Sequence, residues 1–564
     1  MNERAQFAAA PARSQQAAPD AFAQAAAWIR AQRPLRNRRL QEISAELRKG
    51  VMGNAEKALR GFLARYPNDP DAVMLMAQAA LRRGRTGEAE KLLVQCLQLD
   101  PSFIAARFDR ATLLLEENEA ETALIECEKL LKYEPQNPLF RRLKARALEV
   151  NGEYIASLEL WRALTLDCPA QPECWSGYGN ALSIVGLPED SIAAFRKAVA
   201  LNPAFSVGWL CLADLKTVRF STSEIEEMET QLGAAGASSE DRTNLHFSLG
   251  KAYADLNLYE KSFNNFARGN AIRRLAVKHD ADVLTAYVSR CKQAFTADLF
   301  RTHAGSGCGS SGPIFLVGIP RAGSTLVEQI LASHSQIEGT AELFNLSVLA
   351  RELQQLAAGQ GSTYPAILAE LDSGKLRRFG ERYLENTQDR RKLGRRFFID
   401  KMGSNFFYIG LIHLILPNAR IVDVRRHPMA CCFSNFSQVF PKGLNNAYRL
   451  TDLARVYRDY VSLMAHFDLV LPGKVHRLFY ENLIEDPEKE IRRLLDHLGL
   501  PFEDACLNFF NTARAITTVS SEQVRRPIYR EALEHWRHYE PWLGALKTAL
   551  GSVLDLYPEV PSFD

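Results

Sequence analysis

The residues that could do chemistry begin at Gly318-Ile-Pro-Arg-Ala-Gly-Ser-Thr325. Pro313-Ile-Phe-Leu-Val317 before it reads as a buried strand, and Leu326-Val-Glu-Gln-Ile-Leu331 after it carries an apolar helix pattern. Strand, glycine-rich turn and helix make a cradle for an anion, because backbone N–H groups and the positive helix end point at it. The spacing is that of a G-x4-G-x-T phosphate loop, but Ser324 stands where an NTP-hydrolysing loop has its lysine, which weakens an NTPase reading. Arg321 offers a planar cationic fork suited to phosphate instead. A second buried strand, Arg420-Ile-Val-Asp-Val424, runs into Arg425-Arg-His-Pro428, with Ser434 on a helix pattern beyond. A third, Phe397-Phe-Ile-Asp400, ends at Lys401, and Arg477-Leu-Phe-Tyr-Glu481 reads as a further strand containing Tyr480.

Pro320-Arg-Ala-Gly-Ser-Thr-Leu326 resembles the loop with which sulfotransferases bind the 5′-phosphosulfate of 3′-phosphoadenosine 5′-phosphosulfate (PAPS). The resemblance is closest to the tyrosylprotein sulfotransferases and to bacterial repeat-fused sulfotransferases, and covers roughly residues 312–545. It implies that Pro320, Arg321, Ala322, Gly323, Ser324, Thr325 and Leu326 hold the 5′ end of the nucleotide, with Arg321 also serving the reaction. It implies that Arg426 and Ser434, eight residues apart, hold the 3′-phosphate, a role Arg425 fits less well. Glu342 aligns with the family's general base, a carboxylate able to take the proton of an attacking hydroxyl. Lys401 takes the place of the lysine that supports the bridging oxygen of the leaving nucleotide. Val519-Ser-Ser-Glu-Gln-Val-Arg-Arg-Pro-Ile-Tyr529 with Trp536 resembles a flexible cap, with Ser520 on the reacting sulfate side and Arg526 replacing a lysine. Tyr480 stands at a nucleotide-contact tyrosine of the family, or is a plain core tyrosine. Ala341 and Phe344 replace a glutamate and an arginine of the tyrosine-sulfating enzymes, which changes the acceptor pocket. The implied reaction is in-line sulfuryl transfer from PAPS as co-substrate, without a metal.

The first half of the chain is organised by a ladder. Pro67, Pro101, Pro135, Pro169 and Pro203 follow one another at steps of 34 residues. Small residues keep the phase at Ala77, Ala111, Ala145 and Gly179, and again at Ala89, Ala123, Ser157 and Ser191. Large ones follow at Leu93, Cys127, Trp161 and Phe195. The pattern resembles the tetratricopeptide repeat, in which small residues let paired helices approach and proline stops the second helix. A further unit spans 244–270, out of phase with the ladder, so an insertion around 218–239 precedes it, and 36–66 reads as a degenerate first repeat. Such arrays commonly bind extended peptides. A protein or peptide partner is therefore expected, with a scaffold or homodimer surface as the plainer alternative.

The expected architecture is multidomain: a helical solenoid of tetratricopeptide type, then an α/β phosphate-loop domain with a parallel sheet. The expected segments are a flexible N-terminus at 1–35, repeats at 36–300, a Gly/Ser joint at 301–312, a PAPS-dependent sulfotransferase domain at 313–550 and a tail at 551–564. A net charge of +3 over 564 residues excludes a general nucleic-acid footprint. Ten scattered cysteines without a CxxC argue against zinc and fit a reducing compartment, so a cytoplasmic location is expected. No run of about 20 apolar residues suggests a membrane span. His535 and His538 read as surface residues, as do the basic runs at 36–39 and 390–396. The functional readings are a sulfotransferase with a protein or peptide acceptor, tyrosine among the options; one acting on a glycan, lipid or small alcohol; or an interaction scaffold with an inactive nucleotide domain.

Overall fold

Each ladder proline lies two residues beyond a helix end. In the computed structural model, which describes residues 20–563 other than 278, 441–444, 513, 519–520, 529 and 531–532, helices end at Arg65, Leu99, Tyr133, Asp167 and Leu201. The residue before each proline is driven out of the helical region, so the helix stops there. Ala89, Ala123 and Ser157 are fully buried where paired helices meet, and the Ser157 hydroxyl donates to the Ala145 carbonyl at 2.8 Å. A Cβ at Gly177 would lie 2.4 Å from the Trp161 ring, so the large and small positions of adjoining helices are matched.

The chain forms two compact units, residues 1–181 and 182–564. The first unit holds helix pairs from Arg38–Arg48 onward, including the degenerate repeat at 36–66. Part of the segment expected to be a flexible N-terminus is helical: Ala21–Ala31 buries Phe22, Ala25 and Ile29. It packs on Ile104–Glu116 and Pro138–Val150, the first helices of neighbouring repeats. Asp20 caps it, and apolar residues spaced by three and four give it one sticky face.

The second unit joins the last repeats to the sheet, so the Gly/Ser joint at 301–312 lies inside a unit. Its last repeat helices are Ser239–Asp255 and Tyr259–Ala276, with Ser206–Asp214 and Thr222–Gly233 before them. Five parallel strands follow: β1 Pro313–Val317, β2 Ile337–Ala341, β3 Phe397–Asp400, β4 Arg420–Arg425 and β5 Val475–Phe479. Their order is β2-β3-β1-β4-β5. The continuous apolar run of β1 is explained by burial of all five of its residues. From β1 the next two strands lie to one side and the last two to the other. The order therefore reverses between β1 and β4, where open parallel sheets bind ligands.

One expectation about strands needs correction, and one strand was not expected. The β5 strand is Val475–Phe479, and Tyr480 opens the helix Tyr480–Glu485 instead of lying in the strand. The β2 strand carries no continuous apolar run and was not apparent; it has a register irregularity between Gly339 and Ala341.

Candidate active site

The turn after β1 and the turn after β4 meet at the switch point. Gly318 leaves β1 at φ +137°, and its Cβ would lie 2.5 Å from the Val424 carbonyl of β4, so only glycine permits that approach. Arg321 has φ +70°, a left-handed backbone that is uncommon outside glycine. Helix Ser324–Ala332 then begins, capped by Gly323. The Arg321 Nε donates to the Ser434 hydroxyl at 3.2 Å, and Arg426 Nη1 donates to the Arg321 carbonyl at 3.2 Å. Asn435 Nδ2 donates to the Pro320 carbonyl at 2.7 Å, fixing the loop on the helix Pro428–Phe436. Ala322 and Leu326 are buried beneath this loop, while Ser324 and Thr325 open the helix.

Tyr480 closes the other side. A Cβ on Gly323 would meet its ring at 2.4 Å, and the Arg426 guanidinium lies over the same ring at 4.8 Å from its centre. Burial lowers the Arg321 pKa below its ordinary value, and the charge of Arg426 lowers it further. Two cations held this close in a poorly solvated place favour an anion between or beside them. Arg425 serves elsewhere: it is buried against Asp423 at 3.1 Å, in a network with Tyr460 and Arg477.

β2 and β3 bring a second pair together. Ala341 and Asp400 are register partners at the ends of these strands, so Glu342 and Lys401 emerge side by side. Lys401 Nζ lies 3.0 Å from Glu342 Oε1 and 3.7 Å from Glu328 Oε2. Lys401 is 3% exposed, whereas the Glu342 side chain is 54% exposed. A buried lysine thus points a carboxylate outward, where an incoming hydroxyl could reach it.

Residues 313–504 match the sulfotransferase family model. They form a sulfotransferase-family domain. Residues 80–147 match a tetratricopeptide repeat model. The chain is 27% identical over 513 residues to an uncharacterized protein of Aquifex aeolicus (strain VF5), covering 88% of this chain and 67% of the relative. It is 23% identical over 231 residues to a provisionally named protein-tyrosine sulfotransferase of Caenorhabditis briggsae, covering 40% of this chain and 80% of that one. Among solved structures, the sulfotransferase domain of the Synechococcus PCC 7002 olefin synthase aligns over 45% of this chain and 97% of its own, at 19% identity and a TM-score of 0.34.

The segment expected to form a cap folds back over the turn after β1. Thr518 and Thr325 hydroxyls lie 3.2 Å apart. Trp536 stacks on His427 of the β4 turn at 5.3 Å between ring centres. Ser520 falls outside the described residues, and Arg526 is exposed beyond the short turn Gln523–Arg525.

Sequence reasoning missed four groups around this site. Glu328, 3% exposed, lies between Arg514 at 2.5 Å and Lys401 at 3.7 Å. Burial opposes its ionisation, but Arg514 and Lys401 outweigh burial and hold its carboxyl below the usual range. Arg514 in turn receives Arg525 Nη2 on its carbonyl at 3.0 Å, and the same nitrogen donates to Ile184 O at 3.0 Å. The fourth group is Glu522, whose oxygens accept from Thr217 Oγ1 at 3.0 and 2.9 Å. A signal for Glu328 was present, since it is an acid inside the apolar run 326–331. Arg514 and Glu522 carry no local signal.

Proposed function

We propose that the sulfotransferase domain binds PAPS across the β1 and β4 turns and transfers its sulfuryl group to a hydroxyl of a protein or peptide. The observation that carries this reading is the 3.2 Å link between Arg321 and Ser434, which puts one cationic fork at both turns. A nucleotide phosphorylated at both its 5′ and 3′ positions needs two anion sites on one sheet, and the turns supply them. Backbone N–H groups at the start of helix Ser324–Ala332 serve the phosphosulfate, and Arg426 with Ser434 takes the 3′-phosphate.

In the transfer, the acceptor oxygen attacks sulfur as the bond from sulfur to the bridging oxygen breaks. Glu342 takes the hydroxyl proton, and Lys401 donates to the bridging oxygen, where negative charge collects on the departing adenosine 3′,5′-bisphosphate. The Lys401–Glu342 contact holds the carboxylate beside the lysine until the donor draws the lysine away. The repeats present the acceptor, and tyrosine is the hydroxyl to test first, given the name of the Caenorhabditis briggsae relative. Labelled PAPS offered with tyrosine peptides and with carbohydrate acceptors tests this reading. Label appearing only in carbohydrate would reject the peptide acceptor, and no label in any acceptor would reject the transferase.

A further inference from the structure

The last repeats share a compact unit with the sheet, and one corner of them reaches both walls of the proposed nucleotide site. Helix Ser206–Asp214 has nine residues where Pro138–Val150 has thirteen. The chain turns early, and the turn carries Lys216 and Thr217. Thr217 holds Glu522 of the cap through its backbone N–H at 3.3 Å and through its hydroxyl. Lys216 Nζ donates to Gln438 Oε1 at 3.4 Å, and Gln438 Nε2 donates to Asp214 Oδ1 at 2.7 Å. Gln438 lies one turn past Ser434, the residue bonded to Arg321. The corner is thus joined on one side to the cap that meets Thr325, and on the other to the stretch that forms the β4 side.

We propose that Lys216 is a nucleotide ligand contributed by the repeats, placing its ammonium on the 3′-phosphate beside Arg426 and Ser434. The proposal rests on the PAPS reading above. Gln438 at 3.4 Å, the Ala213 carbonyl at 3.5 Å and Asp214 at 3.8 Å hold the lysine through two neutral contacts and one distant charged contact, and its side chain is only 28% exposed. The charges around it fit an anion. Burial lowers its pKa below the usual lysine value, Asp214 opposes that, and Arg321 adds to the lowering. Asp214 also faces Arg321, so one carboxylate is shared by Lys216 and Arg321. Lys251 and Asp255 face the same lysine from the next repeat helix, where they pair with each other. His535 of the cap stands near Lys216 and Arg426. A phosphate entering here would give the Lys216 ammonium a close anionic partner in addition to its carbonyl, amide and distant carboxylate contacts.

The test is calorimetry on the full-length protein with adenosine 3′,5′-bisphosphate and with adenosine 5′-monophosphate, which lacks the 3′ group. Lys216→Met should weaken the bisphosphate by about tenfold or more and leave the monophosphate within about twofold, since a charge-assisted bond is lost at one end only. Lys216→Arg should restore most of the loss and controls for folding, as does an unchanged unfolding midpoint without ligand. An unchanged bisphosphate affinity in Lys216→Met would overturn the assignment, and so would an equal loss for both nucleotides. A wild-type protein that binds neither nucleotide would overturn the PAPS reading itself, a result distinct from either of these.

Discussion

The donor side of the site and its cap are built differently. On the proposed donor side, most groups stand within a few residues of a strand end: Gly318 and Arg321 after β1, Arg426 after β4, Lys401 after β3, with Ser434 on the helix that follows β4. The strands are buried and parallel, so the side chains that leave them have little choice of direction. Among its described residues the cap shows turns and short helical turns and no strand. These are held by partners far away in sequence: Ile184 and Thr217 of the repeats, and Glu328 on the helix after β1. The proposed donor side is therefore preorganised by the sheet, whereas the cap depends on tertiary contacts that could be loosened one at a time.

That contrast can be broken or sharpened by four variants. Glu342→Gln keeps shape but removes the proposed base, and kcat should fall by roughly 10²–10⁴-fold with nucleotide affinity unchanged. Equal transfer rates in a single-turnover assay would remove Glu342 from the mechanism. Arg321→Ala strips the fork shared by both turns, and adenosine 3′,5′-bisphosphate affinity should fall by about a hundredfold. Calorimetry reads this directly, and an unaltered affinity would mean that the two turns do not share a ligand. Glu328→Gln acts through Lys401 and Arg514 rather than on the substrate. It should lower kcat by about tenfold while the KM for PAPS moves little, and the rate should recover partly in Glu328→Asp. A change confined to KM would place Glu328 on the binding side instead.

The smallest effect concerns Asp400, the residue before Lys401. Burial pushes its carboxyl up to about 7 from the ordinary 3.8, although a hydrogen bond from Tyr383 at 2.7 Å pulls the other way. The folded protein then holds a proton that the unfolded chain has released. Its contribution to stability is full below about pH 4 and is lost as pH rises toward 7. Asp400→Asn should flatten that decline in urea unfolding between pH 5 and 7. Parallel pH profiles for the two proteins would show that Asp400 does not titrate there.

The sequence was most informative where local rules act alone. The proline ladder marked helix ends because the residue before a proline leaves the helix wherever it occurs. β1 and β3 were legible at full length, since a strand buried on both faces carries a near-continuous apolar run. β2 was not, because Ile337-Glu-Gly-Thr-Ala341 is an edge strand with a glycine and an irregular register. Tyr480 was placed in a strand because Leu478 and Phe479 extend the apolar pattern, but the chain turns into a helix there, which brings its ring onto Gly323. The juxtaposition of Glu342 and Lys401 depends on β2 lying beside β3, and no spacing along the chain reveals that. Arg514, Glu522 and Thr217 were invisible for the same reason, since each is defined by a partner more than 170 residues away.

The helix Ala21–Ala31 has a consequence for any visitor to the repeats. At eleven residues it is too short to persist alone in water, so its order is borrowed from the surface beneath Phe22, Ala25 and Ile29. Only a few residues separate it from the next helix at Arg38, and a tether that short keeps it at a high local concentration. An incoming segment that covets this patch must displace a resident that never diffuses away, so modest outside affinity would go unrewarded.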